Sequence, residues 1–157
     1  MIKKAAFRDL KEICKIELEN FVNPWNYNMF VEEYNRDFSH IFVYWKDGII
    51  AAYMVVVEIA DDELEIYNIS VRKGHRKMGL ASAMLTFLLG NSVGKTIFLE
   101  VRDDNIYAIK LYRKFGFSIM SVRKNYYTSG VDAYVMKLYV EGVQDVKNES
   151  GYCPGVA

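Results

Sequence analysis

The sequence predicts a single α/β domain, a sheet with helices packed on it. Three observations lead there. Asp47-Gly48 lies between two apolar runs and is a strong two-residue hairpin signal. Residues 63–101 read as strand, glycine-containing loop, helix and strand, a unit that calls for a right-handed crossover between parallel strands. Within Glu63–Val71 the apolar alternation changes phase, as it does where a strand takes in one extra residue.

Taken in order, Ile2 to Ala5 is a short first strand. From Asp9 to Phe21 the residues Leu10, Ile13, Cys14, Leu18 and Phe21 fall on one helical face. Asn23-Pro24 breaks that helix. A second short helix covers Asn28 to Arg36, with Met29 and Phe30 facing in. His40 to Lys46 and Ile49 to Ile59 are the two hairpin strands, and Asp61-Asp62 makes the next turn. In Glu63 to Val71, Leu64 and Ile66 are in phase, and so are Ile69 and Val71, but the pairs are out of phase with each other. A β-bulge near Tyr67-Asn68 accounts for this. A strand buried on both faces, where phase carries no meaning, is the other reading.

Ala81, Met84, Leu85, Leu88 and Leu89 have helical spacing, so a helix starts near Gly79, and Asn91 to Gly94 ends it. Thr96 to Val101 is the next strand. Asn105 caps a helix with the inner stripe Ala108, Leu111, Tyr112 and Phe115, which Gly116 terminates. Phe117 to Val122 and Val131 to Tyr139 form a closing hairpin. The domain spans residues 1–140, and the polar residues 141–157 read as a loose tail.

The 157 residues suit one core, and 52% hydrophobic content with twelve Tyr and nine Phe argues against disorder. The formal net charge is zero, so no global charge draws the chain to nucleic acid or an anionic membrane. The start MIKKAAF lacks an apolar signal core, and the apolar runs are too short to span a bilayer, so a cytoplasmic protein is expected. Cys14 and Cys153 form no metal-type cluster, and no metal is expected.

Three groups of residues carry chemistry. Arg72-Lys73-Gly74-His75-Arg76-Lys77-Met78-Gly79-Leu80 leads from a strand into a helix. Free backbone N–H groups at a helix start, with basic side chains beside them, make an anion site. A solvated basic turn fits the same pattern. Neither GxxxxGK[ST] nor GxGxxG is present. Glu100 lies near the C-terminal end of a strand and Tyr112 on the helix that follows. The two face one crevice as base and acid, or are an edge carboxylate and a core tyrosine. Glu17 falls among inward-facing positions of the first helix, where a carboxylate needs a partner or a wet cleft. An edge-of-stripe position is its plainer reading.

The segment Val71 to Ala81 resembles the R/Q-x-x-G-x-G/A cofactor motif of the GNAT acetyltransferases, with Arg76, Gly79 and Ala81 at the motif positions. Leu99-Glu100-Val101-Arg102, Asn105, Ala108-Ile109, Leu111-Tyr112, Gly116-Phe117, Arg123, Asn125-Tyr126-Tyr127, Asp132-Ala133 and Met136 narrow the likeness. With Pro24-Trp25 and Asn68-Ile69, they resemble the bacterial ribosomal-protein-alanine N-acetyltransferases. The likeness covers about residues 1–139.

This resemblance implies a mixed, mostly antiparallel sheet with a central parallel pair splayed at the bulge and helices on both faces. It implies acetyl-CoA as cofactor, with the pyrophosphate on the loop N–H groups of Arg76, Lys77, Met78, Gly79, Leu80 and Ala81. Ile69, Ser70 and Val71 would hold the pantetheine and acetyl group, with Asn105 and Ala108 beside the cofactor. Glu100 would be the general base and Tyr112 the acid, in a direct transfer through one tetrahedral intermediate. Glu17, Pro24, Trp25, Asn68, Tyr126 and Tyr127 would border the acceptor. That acceptor would be a protein N-terminus, on a ribosomal protein beginning with Ala, and the enzyme a monomer or weak dimer without specific nucleic acid or membrane contact. A polyamine or aminoglycoside is the alternative acceptor, and the Tyr126-Tyr127 pair, which suits a peptide wall, argues against it. A non-catalytic CoA-binding or ribosome-associated module is the alternative class, against which Glu100 and Tyr112 stand. Asp103-Asp104, the short helix ending near Gly90 and the short Thr128–Gly130 loop depart from the family pattern.

Overall fold

Among the described residues, seven strands form one sheet, and four α-helices pack on its two faces. The computed structural model describes residues 1–142 of the chain. The strands are β1 (Ile2–Lys4), β2 (Ser39–Lys46), β3 (Ile49–Ala60), β4 (Glu63–Val71), β5 (Thr96–Arg102), β6 (Ser118–Arg123) and β7 (Ala133–Tyr139). The helices are α1 (Leu10–Asn20), α2 (Tyr27–Asn35), α3 (Leu80–Gly90) and α4 (Ile106–Lys114). Spatial order is β1-β2-β3-β4-β5-β7-β6. Only β4 and β5 run parallel, because α3 crosses between them, and the other neighbours are antiparallel. The expected mixed sheet is therefore present. The expected tail lies, from residue 143 on, outside the described residues, as does Cys153.

Local chemistry explains the main joints. Asp47 and Gly48 both have positive φ, 51° and 80°, as a type I′ hairpin requires. In β4, Val55 of β3 pairs with Asn68 and Val56 with Ile66, so Tyr67 is the inserted residue. The insertion puts Leu64 and Ile66, then Ile69 and Val71, on the same face despite their opposite phase. Leu64, Ile66 and Ile69 join the core under α3, and Val71 packs by Leu80. Glu63, Glu65 and Tyr67 are not buried, so the alternation carries meaning and the bulge reading holds.

Two apolar layers sandwich the sheet. Met84, Leu85 and Leu88 of α3 with Ile109 and Tyr112 of α4 cover one face. Leu10, Ile13 and Ile16 of α1 with Phe30 of α2 cover the other, against Ile41, Val43, Tyr53 and Val55. Two details differ from the sequence reading. In α1 the inward stripe is Leu10, Ile13, Ile16 and Glu17, while Leu18 is 66% exposed and Phe21 also lies open. The C-terminal end of α1 rides over the end of β4, where Glu17 and Asn20 have polar partners, and this turns Leu18 outward. In α2, Phe30 fills the core and Met29 is exposed, because Phe30 and Glu33, three apart, define the inner face.

Candidate active site

The site begins where two strands part. The β4–β5 ladder runs from Glu63↔Thr96 to Ile66↔Leu99 and stops at the bulge. Beyond it, β4 continues to Val71 bonded only to β3, and β5 continues through Glu100 bonded only to β7. The parallel pair is thus splayed, with polar backbone bare on both inner edges.

On one side of the opening lies a groove of about 600 Å³. The anion loop forms one wall. Lys77 and Gly79 have positive φ, 61° and 76°, which turns the chain sharply into α3. No side chain caps that helix, and its first backbone bond runs from the Ala83 N–H to the Gly79 carbonyl. The N–H groups of Leu80, Ala81 and Ser82 are left for a ligand, and all three residues line the groove. A Cβ on Gly79 would meet no protein atom within 4 Å, so the space before the helix is open. Arg76 and Lys77 add positive charge. This donor set fits a diphosphate. Ile69, Ser70, Val71, Asn105 and Ala108 line the same groove, and Met78 alone of the expected cofactor residues does not. The Asn105 side-chain oxygen caps α4 by accepting from the Ala108 N–H at 3.2 Å.

Arg72, in contrast, is absorbed by the fold. Its guanidinium donates to the Ile50 carbonyl and pairs with Glu12 and Glu19 of α1, and it is only 19% exposed. The run Arg72 to Lys77 is therefore not one free basic patch.

On the other side is a cavity of about 410 Å³ lined by Trp25, Glu65, Tyr67, Glu100, Tyr126 and Tyr127. Each wall is held in place. The Glu17 carboxylate, 1% exposed, accepts from the Trp25 backbone N–H at 2.9 Å, from Asn68 Nδ2 at 3.0 Å and from the Tyr53 hydroxyl. It ties the Pro24-Trp25 loop to the bulge. Burial first, then the Glu17 charge, push the Tyr53 phenol far up, so it stays a donor. Asp132 accepts from the Asn125 N–H at 2.8 Å and pairs with Lys124, clamping the loop that carries Tyr126 and Tyr127. Those rings meet edge to face at 5.2 Å, with Arg123 over Tyr126 and Arg102 over Tyr127.

Glu100 has a 20% exposed side chain and pairs with Arg123 at 3.1 Å. Its carboxylate, then burial, push the Tyr126 phenol up, and burial followed by Glu100 does the same to Tyr127. Tyr112 lines neither cavity, so it and Glu100 do not face one crevice as expected: α4 turns Tyr112 into the core, the core-tyrosine reading. It is 6% exposed in the core, edge to face with Phe117 at 5.8 Å. Burial, then Tyr127, push its phenol well above the ordinary value, so it remains protonated.

Sequence reasoning missed several groove and cavity residues. Asn20 donates to the Ser70 hydroxyl at 2.6 Å and to the Val71 carbonyl at 2.9 Å, and its oxygen accepts from Arg76. It closes the bare edge of β4 and positions the loop arginine. His75, Phe21, Tyr107 and Leu111 also line the groove. Glu65 was invisible because β4 reads as a strand with an ordinary polar face. Among the described residues, no group of three or more His, Cys, Asp or Glu could hold a metal, and no helix is long and apolar enough to cross a membrane.

A splayed parallel pair, an anion loop at a helix start and a carboxylate across the opening suit a group-transfer site that draws on a diphosphate-bearing donor. Residues 10–117 match the Acetyltransferase (GNAT) family, and the chain belongs to it. It is an N-acetyltransferase, and acetyl-CoA is its acyl donor. It is 32% identical over 136 residues to the ribosomal protein bS18-alanine N-acetyltransferase of Escherichia coli strain K12, covering 83% of this chain and 90% of that one. It is 30% identical over 135 residues to the N-alpha-acetyltransferase RimI of Mycobacterium tuberculosis, covering 82% and 85%. The crystal structure of the ribosomal-protein-S18-alanine N-acetyltransferase from Escherichia coli superposes with a TM-score of 0.83 at 28% identity, over 93% of this chain and 97% of that one. Arabidopsis thaliana Naa50, solved with a bisubstrate analogue, shares the fold with a TM-score of 0.73 at 21% identity, over 88% and 97%.

Proposed function

We propose that the chain acetylates the N-terminal α-amine of a protein, a ribosomal protein beginning with Ala. The observation that carries this reading is the position of Glu100. It stands one residue past the last β4–β5 pair, in an aromatic-walled cavity across the opening from the anion loop. The bS18-alanine relatives support the choice of acceptor.

Acetyl-CoA would lie with its pyrophosphate on the N–H groups from Arg76 to Ala81, including Lys77, Met78, Gly79 and Leu80. Its pantetheine would run along Ile69, Ser70 and Val71, beside Asn105 and Ala108. When bound, it supplies an acetyl group activated as a thioester. The protein does the rest. An α-amine has a pKa of about 8, so most of it is protonated at neutral pH. Glu100 takes that proton, which leaves the nitrogen lone pair free to attack. Backbone N–H groups freed at the bulge are the donors available to developing negative charge on oxygen. Tyr112 is the acid we assign to the leaving sulfur from its motif position, although it lines neither cavity and burial, by lifting its phenol, makes it a weaker acid. Trp25, Tyr126 and Tyr127 wall the peptide, and Pro24 shapes the loop before Trp25. Glu17 and Asn68 act from behind, fixing that wall to the bulge. We assign these roles within a domain of residues 1–140.

The test is turnover on a panel of peptides with small N-terminal residues, with spermine as competitor. Peptides starting with Ala should gain one acetyl group at the α-amine. No turnover on the panel, or preferential acetylation of spermine, would overturn the reading.

A further inference from the structure

The acceptor cavity contains a second carboxylate that the proposed mechanism leaves unused. Before the bulge, β4 turns Glu65 toward the face opposite α3 and α4. Glu65 registers with Phe98 on β5, so Glu100, two residues on, lies on the same face one step along the neighbouring strand. Both glutamates line the cavity of about 410 Å³.

Their partners differ. Arg123, at the end of β6, pairs with Glu100 at 3.1 Å and lies over the Tyr126 ring. Among the described residues, Glu65 has neither an ion-pair nor a hydrogen-bond partner. Arg102, over Tyr127, is paired with Asp104, so Glu65 and Glu100 against Arg123 leave the cavity one negative charge in excess, which matches a single incoming ammonium. The charged and titratable groups around Glu65 are Glu100 on β5, Arg123 on β6, Tyr67 on its own strand and Tyr126 in the loop. Tyr127 also lines the cavity, and Glu33 and Arg36 on and after α2 act on Tyr67. Arg123 is the cation acting on Glu65 directly, and it is engaged with Glu100.

We infer that Glu65 is a second acceptor-side carboxylate: it receives the α-ammonium and shares with Glu100 the proton that the amine gives up. In that step one N–H bond breaks and its electron pair stays on nitrogen. An O–H bond forms on a carboxylate oxygen, and the proton later leaves to water. Burial, then the like charge of Glu100, hold the Glu65 carboxyl above the ordinary range, which suits it to keep that proton briefly. This inference rests on the α-amine reading above.

The test compares the full chain with Glu65→Gln and Glu65→Asp, using acetyl-CoA and an Ala-starting peptide. Glu65→Gln should raise the peptide KM about tenfold, the scale of a lost hydrogen bond to a charged group. The acid limb of kcat/KM should move to lower pH, because the raised ionisation belonging to Glu65 is gone. Glu65→Asp should restore part of both effects. The KM for acetyl-CoA and the rise in Tm on adding CoA should stay as in the parent, which separates the effect from misfolding. If the parent acetylates the α-amine and Glu65→Gln matches it in peptide KM and pH profile, only this inference falls. A parent chain with no α-amine turnover overturns both readings.

Discussion

At Glu17, two carboxylate oxygens take three donors: the Trp25 N–H, the Asn68 amide and the Tyr53 hydroxyl. Such a group is held by the fold and in turn holds two walls of the cavity. Glu17→Ala strands those donors in a dry place, and each stranded polar group costs about 1–3 kcal/mol. We expect a stability loss of about 3 kcal/mol, measured by urea unfolding, and a larger peptide KM. Tyr112 yields a contrasting prediction. Tyr112→Phe removes only a hydroxyl from a packed ring, so CoA binding should be retained while turnover drops about a hundredfold, the scale of a lost general acid. Unchanged turnover would remove Tyr112 from the mechanism. At this scale the sequence was partly legible. Glu100 and the loop glycines carry motif spacing, and Glu17 showed itself as a carboxylate in an apolar stripe. Asn20 and Glu65 carry no spacing signal, because the partner of the one, Ser70, and the cavity neighbour of the other, Glu100, lie about fifty and thirty-five residues away in sequence and only folding brings them near.

Among the elements, the bulge in β4 governs the site. It was readable because two apolar pairs on one strand cannot face one core in opposite phase without an inserted residue. The Asp47-Gly48 hairpin was readable because two residues in succession need positive φ. The orientation of α1 was not. Its apolar residues fit more than one stripe, and the choice is made by Glu17 and Asn20 meeting partners on β3 and β4. The start of α3 offers the test at this scale. Gly79 has φ of 76° and open space where a Cβ would go. Gly79→Ala should strain the loop by about 1–2 kcal/mol and place a methyl in the groove. The acetyl-CoA KM should rise about tenfold with kcat little changed, read from initial rates at varied acetyl-CoA.

On the proposed reading, the molecule as a whole divides its work across the sheet. The donor groove includes the start of α3 and the first turn of α4, while the acceptor cavity opens among β4, β5 and the two loops bearing Trp25 and Tyr126-Tyr127. Asn20 and Arg72 couple α1 to the anion loop, so filling the groove should stiffen both layers. CoA at about a hundred times its Kd should stabilise the fold by about 2.7 kcal/mol, seen as a higher Tm. The most direct test of the account uses a peptide that begins with Ala and carries an internal Lys, incubated with acetyl-CoA and mapped by fragmentation mass spectrometry. The account predicts one acetyl group, on the α-amine, and loss of that product in Glu100→Gln. Acetyl on the lysine, or undiminished α-acetylation in Glu100→Gln, would contradict it.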